Sequence, residues 1–420
     1  MKLISLCFFF SPQGSAGSLR NYAVVTYLRP FFEEVWVGTA AFPHVLDASA
    51  PVASSEIKVS GIPHLDYHCL LRGSLARVNR RYFWPGRLRR LLSACFPGLG
   101  FSEGGWWYIL RGYQLACRQV RQEEECWVYS SFRPMADHWI AFLLKLRYKN
   151  VRWIADFRDY PVGVRGGLLR LLLRRADIVT TVSNGLATAL RPFYPGVEVL
   201  TNAYCPLVGE KRMSVKQEHF TLVYTGSLYP QQEVSPLREA LASLVAEGLL
   251  DPERVRVVYA GKDGRIWDDW WKDFPYREMM VQHGLLTLAA ARQLQADAGI
   301  NVLLSWCGEG QRGILTSKLY EYLYVGKPLL GLVRGDPDPE LEAIFGPLGH
   351  AYLAYAHEGH IRGLRYFILK AYQAWLCGRE ECYPDLSRTW SHNILTLVQQ
   401  IKSKSHEAGT LAEQLVPQPL

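Results

Sequence analysis

Short apolar runs alternate along the chain with longer amphipathic stretches, the pattern of a parallel sheet covered by helices on both faces. LISLCFFF reads as the first strand. SLRNYAVVTYLRPFF follows as a helix, capped by Ser18 or a neighbouring serine, and EVWVGTA is the next strand. CWVYSS and VRWIADF read as strands flanking a helix over PMADHWIAFLLKLRYK, and ADIVTTVS and VEVLTN close this half. Residues 70–118 are less regular and read as an insertion.

Between Tyr204 and Phe220 the pattern lapses into CPLVGEKRMSVKQEH, polar and rich in turn formers, which predicts a domain boundary. A second α/β series follows. TLVYTGS, VRVVYAG and AGINVLLSW read as strands, SPLREALASLVAEGLL as a helix, and TSKLYEYLYVG with PLLGLV as the next helix and strand. SRTWSHNILTLVQQIK is a late amphipathic helix, and a polar tail begins near Ser403. The division predicted is 1–205, 206–384, a helix over 385–402 and a tail over 403–420.

A chain of 420 residues exceeds one ordinary core, so two domains of roughly 200 residues agree with this division. Hydrophobic content of 49% excludes disorder, and no uninterrupted apolar run reaches the roughly 18 residues of a membrane span. The opening MKLISLCFFFSPQGSAGS imitates a short signal peptide, but it reads better as a buried strand, a glycine loop and a helix. Nine cysteines without a CxxC pair or a His partner at metal spacing indicate neither a zinc site nor a disulfide scaffold. A reducing, cytoplasmic setting fits them.

Charge is uneven. Residues 1–205 hold 25 Lys and Arg against 14 Asp and Glu, while the remainder is slightly acidic. The densest patch, RVNRRYFWPGRLRR from Arg77 to Arg90, interleaves arginine with Tyr82, Phe83 and Trp84. It suits an anionic membrane surface, nucleic acid, or simply a solvated face.

Two facing α/β domains put two sets of strand C-termini across a cleft, the default ligand site of open sheets. Three loops reach it. SPQGSAGS, with Gly14 and Gly17, permits close approach of a phosphate or sugar to a helix N-terminus, although glycine also serves turn geometry alone. It is not the GxGxxG fingerprint, and no GK[ST] loop occurs, so dinucleotide and P-loop readings fall away. In TSKLYEYLYVGKP, Thr316 or Ser317 caps a helix whose free N–H groups and Lys318 suit a pyrophosphate. Glu321 lies one turn along, able to accept from ribose hydroxyls or to pair with a nearby base. Gly326 ends that helix. In YTGSLYP, Gly226 and Ser227 offer N–H groups from the other wall, or form an ordinary strand end.

SKLYEYLYVGKPLLGL resembles the signature of glycosyltransferase family 4 and its relatives. SPQGSAGSLRNYAVVTYL is similar to that family's N-terminal glycine loop and helix, and VYSSFRPMADHWIAFLLKLRYKNVRWIADFRDYPVG to its strand-helix-strand ending in Asp-Phe-Arg-Asp. ADIVTTVSNGL, LTNAY, LVYTGSLYP and VRVVYAG fall in the expected order, so the resemblance spans residues 1–402. It implies the GT-B fold: two Rossmann-like α/β domains facing across a cleft, acceptor on the first, nucleotide sugar on the second, and a C-terminal helix crossing back to the first. The activity implied is retaining, metal-independent glycosyl transfer from a nucleotide-diphosphate sugar to a glycan or lipid-linked acceptor, with no cofactor. A peripheral place on the inner face of a membrane goes with such an acceptor.

Carried over, the resemblance implies that Glu321 binds ribose and that Thr316, Ser317 and Lys318 meet the pyrophosphate. Gly14 and Gly17 border the donor phosphate and acceptor. Asp156, Arg158 and Asp159 lie near the reacting sugar, although an N-cap and an internal Arg158 pair explain these acids as well. His138, alone in its helix, is a candidate base or a packing residue. The chain departs from the pattern twice. Gly313 stands where many members keep a second Glu, and Ser227, Tyr229, Gln231 and Gln232 replace the usual Arg and Lys. Leaving-group charge then falls to helix N-termini, Lys318, Lys262, Arg133 or Arg158. A nucleotide-sugar epimerase and a catalytically silent binder are the alternatives, and a nucleic-acid partner rests on the arginine patch alone.

Overall fold

The computed structural model describes residues 1–40, 47–63, 105–206, 217–308, 310–355, 358–379 and 382–405; the arginine patch at 77–90 and the tail beyond 405 lie outside them. The first sheet holds β1 (Lys2–Leu6), β2 (Glu34–Ala40), β3 (Ile57–Ile62), β4 (Cys126–Phe132), β5 (Val151–Phe157), β6 (Ile178–Thr181) and β7 (Val197–Val199). All run parallel in the order β3-β2-β1-β4-β5-β6-β7. Because side chains alternate across a strand, β1 sends Leu3 to one face and Ile4 and Leu6 to the other, and β4 divides Trp127 from Val128 likewise.

One face is covered by α1 (Ala16–Leu28) and α12 (Trp390–Lys404), the late helix. Trp390, Ile394, Leu397 and Ile401 lie in the core of the first domain, and Trp390 Nε1 donates to Ala203 O at 3.0 Å. The chain therefore crosses back, as the resemblance implies. The other face carries α2 (Gly105–Cys117), α3 (Met135–Arg147), α4 (Gly166–Leu173) and α5 (Asn184–Leu190). Part of the stretch read as an irregular insertion is thus a core helix: Tyr108 of α2 is fully buried and its hydroxyl donates to Asp137 Oδ1 of α3 at 2.8 Å.

The second sheet is also parallel, with β8 (Phe220–Thr225), β9 (Val255–Ala260), β10 (Met280–Gly284), β11 (Ile300–Cys307), β12 (Leu329–Gly335) and β13 (Ala351–Tyr355) in the order β10-β9-β8-β11-β12-β13. Its described helices are α6 (Ser235–Ala246), α7 (Gly264–Trp271), α8 (Leu288–Ala296), α9 (Ser317–Val325), α10 (Pro339–Phe345) and α11 (Glu358–Leu376). The sequence pattern misses β3, β10 and β13. Each sits at a sheet edge, where open faces interrupt the apolar run in IKVSGI and MVQHG, whereas AYLAY of β13 keeps its apolar run over only five residues.

Trp390→Ala should destabilise the first domain by about 3–5 kcal/mol, as removal of a buried aromatic does. Equilibrium denaturation checks this; a loss under about 1 kcal/mol would mean that the late helix is not part of that core.

Candidate functional site in the interdomain cleft

The C-terminal ends of both sets of strands face each other, and each domain caps a helix of the other. Asp47 Oδ2 accepts from Leu288 N at 2.7 Å and Ser49 Oγ from Ala289 N at 3.0 Å, so the first domain supplies acceptors to the free N–H groups of α8. In return Glu340 accepts from Asn184 N at 2.7 Å and Gly185 N at 2.8 Å, closing the start of α5. Asp338, wholly buried, caps its own α10 and accepts from Gly313 N at 3.1 Å. Gly313 has φ +65°, and the Glu340 carboxylate occupies the space a side chain there would need. The position that lacks the expected acid is therefore flanked by one from another part of the chain.

On the second domain, Thr316 takes the N-cap position of α9 with extended backbone, without a side-chain cap bond, and its shielded Oγ1 has no partner among the described residues. Gly326 ends the helix in the left-handed region at φ +75°. Lys318, in the first turn, lies directly against Gly226, whose φ of +119° and missing side chain permit the approach. Partial burial pulls the Lys318 ammonium below the usual lysine range, opposed by Glu321. Its Nζ has no hydrogen bond or ion pair among the described residues. Gly226 N donates to Ala260 O at 2.7 Å, so it has no N–H left for a phosphate, which corrects that part of the expectation; Ser227 beside it is half-buried.

Glu321 is mostly enclosed. Oε2 accepts from Gln295 Nε2 at 3.1 Å and Oε1 lies 3.9 Å from Arg292, whose guanidinium stacks over Tyr204. The base pairing weighed for this acid is present, loosely, and the partners Arg292 and Gln295 come from α8, which the sequence pattern did not mark. Gln232, where a base was expected, holds its loop by donating to Leu304 O at 3.0 Å and accepting from Tyr229 N at 2.9 Å.

No family profile and no curated protein matches the sequence. Solved structures do. A sucrose-phosphate synthase from Thermosynechococcus elongatus superposes with a TM-score of 0.60 at 11% identity, covering 96% of this chain and 100% of that one. A lipopolysaccharide outer core galactosyltransferase gives 0.52 at 12% identity over 96% and 100%. MnaA of S. aureus, solved with UDP, gives 0.51 at 12% identity over 96% and 97%. The chain has the GT-B fold.

The GT-B cleft receives some of the expected residues from the first domain and leaves others beneath its floor. Asp159 is 57% exposed and 3.9 Å from Arg158. Tyr229, across the cleft, has its phenol pushed up by burial and then by the charges of Asp159 and Asp263, with Arg133 opposing, so both domains contribute charge there. Arg158 lies against Gly17 and over the Phe9 ring, donating to Phe132 O and, at 2.7 Å, to Arg133 O. Gly14 abuts Asp47. Lys262 is exposed just after β9, next to Asp263, which accepts from Leu228 N at 3.0 Å. Among the described residues no three His, Cys, Asp or Glu gather to hold a metal.

Asp156 is not at the cleft surface. It is 0% exposed and accepts from Arg20 Nε at 3.0 Å, Arg20 Nη2 at 2.7 Å, Thr180 Oγ1 at 2.8 Å and Tyr129 OH at 3.0 Å. Burial alone would raise its carboxyl, but the Arg20 guanidinium overrides that and holds it below the usual range. A carboxylate so saturated has no lone pair for a sugar, which corrects its expected contact. His138 is buried as well, with Nδ1 2.7 Å from Ser130 Oγ and its ring among Phe132, Trp153 and Phe157. Burial brings it down to about 3, so it is a neutral packing residue and not a base in the cleft.

Between pH 6.5 and about 3 the unfolded chain protonates this histidine and the folded one does not, so stability falls as pH falls. His138→Phe should flatten the slope by about 1.4 kcal/mol per pH unit below pH 6.5, read by denaturation at pH 7 and pH 5. Asp156→Asn, which leaves Arg20 buried without its counter-charge, should cost about 3–5 kcal/mol in the same assay.

Proposed function

We propose that the cleft transfers a sugar from a nucleotide-diphosphate sugar to a glycan or lipid-linked acceptor, with retention of configuration, in the synthesis of a surface polysaccharide or glycolipid. The observation that carries this reading is Lys318: a partly desolvated ammonium in the first turn of α9, pressed onto Gly226 and without a hydrogen bond or ion pair among the described residues. Breaking a sugar–diphosphate bond loads negative charge on the leaving phosphate, and preorganised donors at that point are the largest source of rate. The N-terminus of α9, the unpartnered Thr316 hydroxyl, Ser317 and Lys318 converge there. Lys262, Arg133 and Arg158 stand nearby as further cations.

Glu321 keeps acceptor capacity beyond Gln295 and takes the ribose hydroxyls, with Ser227 beside the diphosphate. Gly14 and Gly17 make room for Asp47 and Arg158, and the acceptor comes from this first-domain side. Asp159, exposed in the cleft, orients the acceptor hydroxyl, which attacks from the leaving-group face. UDP is the first diphosphate to test, since the MnaA neighbour was solved with it.

A silent binder is the reading that the engagement of Gln232 would favour, and turnover separates the two. Lys318→Ala should reduce turnover by about 10²–10³-fold with the fold intact. Glu321→Ala should weaken nucleoside diphosphate binding by about tenfold or more in calorimetry. Diphosphate binding without sugar release across donor and acceptor panels would leave a binder, and unchanged affinity in Glu321→Ala would remove the ribose contact.

A further inference from the structure

α2 and α4 turn one side into the core through Ile109 and Leu169 and the other to solvent, while α3, neighbour to both, is buried through Ile140 and reaches solvent at its end through Leu146 and Arg147. That outer side is unusual in two respects. It exposes large apolar groups, with Trp107 at 47%, Leu110 at 50%, Leu146 at 50% and Leu171 at 54%. It is also cationic, although Lys145 of α3 pairs with Asp177 at 2.7 Å. The one carboxylate within the three helices, Asp137, is buried, accepting from Phe8 N and Tyr108 OH at 2.8 Å each. Arg111, Arg147 and Arg170 lie on the same helices, next in sequence to Leu110, Leu146 and Leu171, and the exposed Arg174 and Arg175 directly follow α4. None makes an ion pair among the described residues, and Arg111 lies over the Trp107 ring at 4.4 Å.

We propose that this face docks on an anionic lipid surface. Five exposed arginines without an ion pair among the described residues are complemented by negative charge, and a phosphate headgroup layer supplies it. Tryptophan belongs at the level of those headgroups, while leucines between arginines gain from the apolar layer just beneath. Nucleic acid would satisfy the arginines but offers aliphatic Leu110, Leu146 and Leu171 little. Arg170 and Leu171 of α4 and Arg174 at its C-cap put charge and an aliphatic side chain side by side at the solvent, as an interfacial helix does. None of these residues is among those proposed for the transfer, so this inference stands or falls independently of that reaction.

The test is co-sedimentation of the full chain with phosphatidylcholine vesicles, with and without phosphatidylglycerol, beside an RNA oligonucleotide titration. Partitioning should require phosphatidylglycerol. It should fall about tenfold or more in Arg174→Glu/Arg175→Glu and also in Trp107→Ser/Leu110→Ser. Both pairs are exposed, and the thermal transition of each variant confirms the fold. Absence of vesicle binding overturns the proposal, as does vesicle binding that neither double variant weakens. RNA binding without vesicle binding overturns it in favour of a nucleic-acid face.

Discussion

The buried pair of Arg20 and Asp156 is the constraint on which the first domain is arranged. Two charges taken wholly out of water are tolerable only if every polar atom is met, and four elements converge to meet them. α1 brings Arg20, β5 brings Asp156, β4 and β6 add Tyr129 and Thr180, and the segment after β7 offers Leu200 O and Asn202. Trp390 of the crossing helix closes over the guanidinium at 5.5 Å. Asn202 then reaches Leu315 O in the second domain at 3.4 Å, just before α9 begins. The acid that looked like chemistry is structural, and it positions the loop on the other side of which the chemistry is proposed.

Around that anchor the cleft is held by borrowed caps. A helix start leaves N–H groups without partners, and here the acceptors come from the opposite domain: Asp47 and Ser49 for α8, Glu340 for α5. Ser18 and its neighbours illustrate the ordinary solution, in which Ser15 caps α1 from within at 3.2 Å. Thr316 shows a third case, an N-cap residue whose hydroxyl has no partner among the described residues, beside a lysine with none either. Where the chain spends acceptors on interdomain contacts and leaves donors free at one helix start, an anionic ligand is the natural complement.

The first domain divides its charge along the same lines. Arg20 faces inward onto carboxylate and carbonyl partners, whereas Arg111, Arg147, Arg170, Arg174 and Arg175 stand outside with no ion pair among the described residues. Net positive charge in this half is thus two populations with different work, one structural and one available to a partner.

Alternation of apolar and polar positions determined the α/β class, most strands and the limits of α9, because each is fixed by side chains within one or two turns. Ser-Lys at one end and Gly-Lys-Pro at the other are local instructions, and they read correctly. The edge strands β3 and β10 escaped because polar residues on their open faces break the apolar run. The site was legible only as a neighbourhood. Lys318 and Glu321 could be placed on one helix face, but that Lys318 would rest on Gly226, or that Asp156 and His138 would lie buried, was decided by how the sheets stack. Arg20 and Asp156 stand 136 residues apart, Glu340 and Asn184 156, Asp47 and Leu288 241. Pairings at that separation leave no trace in local periodicity, since only the folded sheets and their packing bring such groups within bonding distance.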